Sequence, residues 1–414
     1  MKRILALALL AACGDGGTTE IPEVRSGLDR DLTPDVSPAE LEKLVEGNTA
    51  FAVDLYQLAR PTGPNLFMSP HSVSIALAMT YAGAGGATAT QLADALHFTL
   101  PEPQLHAAFD ALDLALSSRA DQATGDTIPF RLTTANALFG QTGWRFLPAF
   151  LDTLAVNYGA GMRVLDFAAA PEASRATIND WVEDRTEDRI QDLLPEGSVT
   201  SSTRLVLANA IYFSAAWATP FETSATADRP FKLAGGAEIA VPTLHQDAEL
   251  GYGEGAGFRA AELPYDGDQL SMVVVLPDDL DAFEDGLDAQ RLEQVLASLT
   301  PHQLELSLPK FKFDAPLGLK DILIELGMED AFTARADFSR IDGARDLMIT
   351  DVLHKGFVAI DERGTEAAAA TAVIIGDTSV PERATLAVDR PFFFLIRDRP
   401  TGAVLFVGRV VDPR

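Results

Sequence analysis

Apolar residues recur at helical spacing from Ala39 to Ala59, directly behind Ser37 and Pro38. That pattern predicts a helix with Ser37 as its N-cap and Pro38 in the first turn, where a missing N–H costs no hydrogen bond. Ser72 to Ala82 is apolar almost throughout, as in a helix buried on all sides. Ala176 to Leu194 sets Ile178, Trp181, Val182, Ile190 and Leu193 among many charges, which predicts an amphipathic surface helix whose Glu183–Asp192 face is solvated. Strand signals follow. Leu205 to Phe213 is an apolar run, Leu270 to Leu276 is β-branched between Gly267 and Pro277, and Leu304 to Leu308 alternates, as do Phe311 and Phe313. Phe392 to Ile396 and Leu405 to Val411 read as late buried strands. Helices early and strands late predict an α+β fold with sizeable mixed sheets.

The N-terminus follows a different rule. Lys2 and Arg3 precede an apolar stretch, Ile4 to Leu10, far too short to span a bilayer as a helix. Leu10-Ala11-Ala12-Cys13 resembles the lipobox of a bacterial lipoprotein signal. The resemblance implies a signal peptide over 1–12, diacylation of the Cys13 thiol, cleavage before it and acylation of the new amino group. Two or more acyl chains hold a protein at a membrane where one does not. A plain secretory signal with an incidental cysteine is the alternative. Residues 13–36, rich in Gly, Pro and Asp, read as a flexible tether, and the folded domain is expected over 37–414. The expected location is the cell envelope or beyond it, lipid-anchored to a bacterial membrane.

Composition narrows the functional classes. The 414 residues carry 32 Lys+Arg against 60 Asp+Glu, a formal net charge of −28. Such a surface disfavours nucleic acid and polyanions, which need clustered cations. One cysteine leaves no disulfide framework or multi-Cys metal site, and six scattered histidines include no HExxH. No metal or cofactor is expected. The absence of a GxSxG elbow opposes a serine hydrolase.

Several segments resemble one family in order along the chain. Asn65-Leu66-Phe67-Met68-Ser69-Pro70-His71-Ser72 is similar to the serpin signature near the second helix. Thr203 to Phe221 resembles the strand that carries a buried Asn and Trp, here Asn209 and Trp217. Ile178 to Leu194 resembles the helix over the main sheet, Leu353-His354-Lys355-Gly356 onward the central strand, and Ala387 to Pro413 the C-terminal signature. The likeness spans about Ser37 to Arg414. It implies a single large domain with three β-sheets, about eight to nine helices and an exposed reactive-centre loop over about 362–383. It also implies that Ser69, Ser72, Asn209 and His354 form a polar shutter beneath the sheet and that Trp217 marks the breach where the loop enters. Asp389-Arg390-Pro391 is expected to fix a strand entry.

The segment from Asp361 to Arg383 carries the functional reading. By residue type alone, Thr365 would N-cap a helix that Glu366 and four alanines favour. The resemblance demands something else: an exposed loop that enters the middle of a sheet after cleavage. A central strand buries alternate side chains. One alternate set is Thr365, Ala367, Ala369, Thr371, Val373 and Ile375, none charged, and no proline interrupts Thr365 to Val380. Glu362-Arg363-Gly364-Thr365-Glu366-Ala367-Ala368-Ala369-Ala370-Thr371 matches the hinge pattern of inhibitory members. The implied mechanism is suicide inhibition, in which a serine protease, or alternatively a cysteine protease, is trapped as an acyl-enzyme while the loop inserts. The inhibitor supplies no catalytic residue and is expected to act as a monomer. Family spacing from Glu362 places the scissile bond at Thr378–Ser379, within Asp377 to Val380, with Ile374 or Ile375 as alternatives. A short uncharged residue there suits an elastase-like or subtilisin-like enzyme, and Arg383 lies too far downstream for a trypsin-like one. The competing readings are a non-inhibitory serpin that binds or carries a ligand at the cell envelope, which the hinge opposes, and a structural envelope lipoprotein, which leaves the hinge unexplained.

Overall fold

The computed structural model describes residues 21–62, 65–122, 130–365 and 382–414. Among them are ten α-helices: α1 Pro38–Ala59, α2 Pro70–Tyr81, α3 Gly86–Ala95, α4 Glu102–Ser117, α5 Pro148–Tyr158, α6 Pro171–Arg185, α7 Leu280–Asp285, α8 Ala289–Ala297, α9 Lys320–Glu325 and α10 Ser339–Asp342. The strands are β1 Glu23–Val24, β2 Leu66–Met68, β3 Arg131–Gln141, β4 Met162–Leu165, β5 Leu205–Ala216, β6 Ala227–Lys232, β7 Glu238–Gly255 and β8 Phe258–Pro264. The second half adds β9 Leu270–Pro277, β10 Thr300–Pro309, β11 Phe311–Gly318, β12 Val352–Ile360, β13 Gly364–Thr365, β14 Arg383–Ala387, β15 Phe392–Asp398 and β16 Val404–Val410.

The strands form two hydrogen-bonded sheets where three were expected. A seven-stranded sheet runs β1-β4-β3-β5-β13-β12-β11, and a nine-stranded one runs β14-β10-β7-β8-β9-β15-β16-β2 with β6 beside β7. The physical reason for the merger is β7. It stays hydrogen-bonded over 18 residues, pairing with β6 and β10 and then with β8, so no break separates a third sheet. One large core fills the space between the sheets and the early helices. A smaller one lies on the other face of the seven-stranded sheet, where Ile178 and Val182 of α6 meet Phe139, Val206, Ala208 and Ala210.

Local chemistry explains the helix ends. The Ser37 hydroxyl accepts from the Glu40 N–H at 3.3 Å while the Glu40 carboxylate accepts from the Ser37 N–H at 2.9 Å, a capping box that starts α1. α6 begins at Pro171 and stops at Arg185, well short of the expected end near Leu194. Glu187, Asp188 and Asp192 adopt positive φ, which ends the helix. Asn179 then ties the returning chain, accepting from the Leu194 N–H at 2.8 Å and donating to its carbonyl at 3.0 Å.

Residues 21–36, expected as part of a flexible tether, lie against the domain instead. β1 pairs with β4, Ile21 is buried in the smaller core, and Ser26 donates to Asp152 at 2.5 Å. Arg30 reaches Asp110 and Asp113 on α4, both at 2.6 Å. The composition of this stretch gave the tether reading. It is overturned by a few residues, Ile21, Glu23 and Arg30, that each find a partner on the domain.

Candidate functional site: a seam in the main sheet

β5 and β12 are parallel neighbours over a short ladder only, from Leu207–Val352 to Ile211–Gly356. Above that ladder β13 sits between them. Gly364 pairs with Ala216 and Thr365 with Ala215 on β5, and Thr365 pairs with Ile360 on β12. The first two hinge residues are therefore already in the sheet, a correction to the fully exposed loop expected for Gly364 and Thr365. Gly364 fits for a steric reason: a Cβ there would lie 2.1 Å from the Ala215 carbonyl oxygen. Thr365 is 1% exposed, and its hydroxyl lies 2.7 Å from the Tyr265 hydroxyl. Burial pushes the Tyr265 phenol well above its ordinary pKa, so Tyr265 is neutral at any working pH.

Trp217 holds the entry. Its ring stacks on Tyr265 at 4.6 Å, its backbone N–H donates to the Arg363 carbonyl at 2.7 Å and its indole N–H to the Asp361 carbonyl at 3.0 Å. Glu362 is clamped by Lys310 at 2.8 Å and by the Thr226 hydroxyl at 2.9 Å. Burial raises the Glu362 pKa, but the Lys310 and Thr226 hydrogen bonds outweigh it and hold the carboxyl below its usual value. Lys310 and Thr226 were not anticipated from the sequence. Arg390 donates to the Pro277 carbonyl at 3.0 Å just before β15 begins.

Within the ladder itself the polar residues form one connected row. Asn136 of β3 lies opposite Asn209 of β5, and Asn209 lies beside His354 of β12. The Ser69 N–H donates to His354 Nε2 at 3.0 Å, which places the ring proton on Nδ1, 2.5 Å from Asn209 Oδ1. The Asn209 amide donates to Asn136 Oδ1 at 2.7 Å and to the Ser72 hydroxyl at 2.9 Å. The Ser72 hydroxyl in turn donates to Asn136 Oδ1 at 2.9 Å, and Ser69 Oγ donates to the Leu405 carbonyl at 2.7 Å. Burial lowers the His354 pKa to about 4, so the imidazole is neutral at pH 7.

The structure thus brings Ser69, Ser72, Asn209 and His354 together, and sets Trp217, Glu362, Gly364 and Thr365 together at the other end of the seam. Glu366, Ala367, Ala368, Ala369, Ala370 and Thr371, the Thr378–Ser379 bond and Cys13 lie outside the described residues. Asn136 and Tyr265 were missed in the sequence. A signal for Asn136 existed: Ala135-Asn136-Ala137 repeats the Ala208-Asn209-Ala210 triplet, and both triplets put an amide inside an apolar strand. Among the described residues no cluster of His, Cys, Asp and Glu is arranged to hold a metal, and no helix is long and apolar enough to cross a membrane.

A large α+β domain, a strand wedged into its main sheet and a long segment leaving that strand define the class of protein. A family model described as serpin (serine protease inhibitor) matches residues 46–413. The leukocyte elastase inhibitor of Bos taurus is 39% identical over 388 residues, covering 90% of this chain and all of its own. An uncharacterised serpin-like protein of Thermococcus kodakarensis is 36% identical over 376 residues, covering 90% of this chain and 86% of its own. Uncleaved ovalbumin matches with a TM-score of 0.78 and 27% identity, covering 90% of this chain and 100% of that one. The native thermophilic serpin tengpin matches with a TM-score of 0.81 and 26% identity, covering 95% of this chain and 100% of that one. The chain belongs to the serpin (serine protease inhibitor) family.

Proposed function

We propose that this serpin traps its target as a suicide substrate. The protease cleaves the segment after the hinge, the acyl-enzyme forms, and the freed segment enters the main sheet between β5 and β12 before deacylation. The observation that carries this reading is Gly364–Thr365 seated as a strand in that seam, followed in sequence by small uncharged residues from Ala367 to Ala370. Insertion extends a ladder that has already begun, so each further residue adds backbone hydrogen bonds without a new nucleation step.

The target class is elastase-like or subtilisin-like. Thr378 at the reactive position is short and uncharged, and mammalian relatives are named leukocyte elastase inhibitors. The test mixes the full chain carrying Cys13→Ser with pancreatic elastase, subtilisin, chymotrypsin and trypsin separately. An SDS-stable band at the summed mass, with the released peptide beginning between Thr378 and Val380, is the expected result for elastase or subtilisin. Cleavage by all four without a stable band or a gain in thermal stability overturns it.

The inhibitor acts as a monomer, held at a bacterial envelope membrane by lipidated Cys13. Support for the anchor is the sequence pattern Leu10-Ala11-Ala12-Cys13 behind Lys2 and Arg3. Cys13→Ser should move the protein from the membrane to the soluble fraction of expressing cells, and membrane association unchanged by that substitution refutes the anchor.

A further inference from the structure

Two guanidinium groups converge on one indole at the edge of the seven-stranded sheet. Arg163 of β4 places its guanidinium carbon 5.1 Å from the Trp181 ring centroid, and Arg185 in the last turn of α6 places its own at 4.6 Å. Among the described residues neither guanidinium has a carboxylate within ion-pair distance. The acids that face Arg185 are Asp184 and Glu23, and the Glu23 carboxylate is engaged by the Gly161 N–H at 2.7 Å. Burial, then the neighbouring Arg163 charge, lowers the Arg185 pKa. The indole N–H of Trp181 is shielded from solvent and has no acceptor.

What sets these two apart is that both guanidinium groups are drawn to one ring, in a chain with a net charge of −28. Arg397 meets Glu262 at 2.7 Å and Arg409 meets Glu284 at 2.9 Å. The negative end of α6 accounts for one cation beside it. It does not account for a second one projecting from a strand towards the same ring. Guanidinium over an indole face keeps its N–H edge free, and two such forks match the oxygens of a tetrahedral dianion.

We propose that Arg163 and Arg185, held against the Trp181 ring, form a binding site for an oxyanion of the phosphate or sulfate class. An anion held there joins β4 to α6, relieves the arginine–arginine repulsion and stabilises the intact fold. A free ion and a phosphate headgroup share this chemistry. The −28 charge opposes approach to an anionic bilayer and favours the free ion.

The test uses the full chain carrying Cys13→Ser. Thermal melting is followed in sodium phosphate, sulfate and chloride at equal pH and ionic strength. Phosphate and sulfate should raise Tm several degrees beyond chloride, and Arg163→Gln or Arg185→Gln should remove the difference. Titration of the chain bearing both arginines with inorganic phosphate by calorimetry reads the site even where a Gln variant fails to fold. Saturable one-site heat supports the site, and none refutes it. Equal melting in all three salts, or an undiminished phosphate effect in both Gln variants, also overturns the proposal. Flotation with phosphatidylcholine vesicles containing phosphatidic acid separates the sources: arginine-dependent binding assigns the headgroup, and calorimetric binding without flotation assigns the free ion.

Discussion

Replacing Thr365 by Arg tests the hinge at the point where it already touches the sheet. Thr365 is 1% exposed, and its hydroxyl lies 2.7 Å from that of Tyr265, beneath the stacked Trp217 ring. An arginine there must either bury a cation beside a neutral phenol or withdraw β13 from the seam. Burying an unpaired charge costs several kcal/mol even after relaxation, taken here as about 3 kcal/mol, and the lost hydroxyl bond about 1 kcal/mol. A barrier higher by about 4 kcal/mol slows entry roughly 10²–10³-fold. The acyl-enzyme then has time to hydrolyse, so Thr365→Arg should be consumed as a substrate. The assay is the stoichiometry of inhibition and the yield of SDS-stable complex with whichever protease the parent traps. Thr365→Ser keeps the hydroxyl and should behave like the parent. Complex formation by Thr365→Arg at parental stoichiometry and rate would show that the segment does not enter through this seam.

Three further outcomes follow from the same geometry. His354 and His71 are buried with pKa values of about 4 against an ordinary 6.5. The unfolded chain therefore takes up protons first as pH falls, and stability present above pH 6.5 is lost towards pH 4, by about 3 kcal/mol per histidine; a melting temperature flat over that window refutes the burial argument. Asn136→Ala leaves the Asn209 amide and the Ser72 hydroxyl without their shared acceptor. It should lower urea-unfolding stability by about 2 kcal/mol, and a loss under about 0.5 kcal/mol contradicts the role assigned to Asn136. Arg30→Gln strands Asp110, whose side chain is fully buried and whose pKa burial pushes up to about 6, above the ordinary 3.8. A raised folded pKa means that the folded state takes the proton first, so the charge penalises the fold above pH 6 and is relieved below it. The destabilisation by Arg30→Gln should accordingly be about 2 kcal/mol at pH 8 and smaller at pH 5; equal losses at both pH values reject the pairing.

Local pattern made much of the architecture readable. Ser37, Pro38 and Glu40 carry the whole start of α1, and Leu205 to Phe213 and Leu270 to Leu276 are strands because each is buried on both faces. Serine, asparagine, histidine and tryptophan in the site were legible through ordered motifs, not through periodicity. Three things were not legible in the sequence. The end of α6 depends on positive φ at Glu187 and Asp188, and nothing in the charge pattern of Ala176 to Leu194 encodes that turn. The docking of residues 21–36 depends on Asp110 and Asp113, far along the chain. The entry of Gly364 and Thr365 into the sheet depends on Tyr265 and Trp217, which prepare a buried hydroxyl partner and a stacked wall for them.

The two ends of the seam explain why both are needed. At the Trp217 end the gap between β5 and β12 is held open by β13, whose residues satisfy the strand edges on both sides. At the His354 end the strands meet directly, and the His354–Asn209 hydrogen bond crosses the line along which the proposed insertion would part them. A strand extending from Thr365 therefore meets no closed sheet at its start and a growing cost as it approaches the polar row. That cost is bounded, because the row belongs to more than one strand. Asn209 keeps Asn136 and Ser72 as partners when His354 leaves, and His354 keeps the Ser69 N–H. Within the row only the His354–Asn209 bond is broken, alongside the β5–β12 backbone ladder, and an entering strand can replace both. A polar row shared in this way resists spontaneous opening by about one charge-free hydrogen bond, about 1 kcal/mol, because parting leaves the His354 Nδ1–H and Asn209 Oδ1 without each other until an entering backbone meets them.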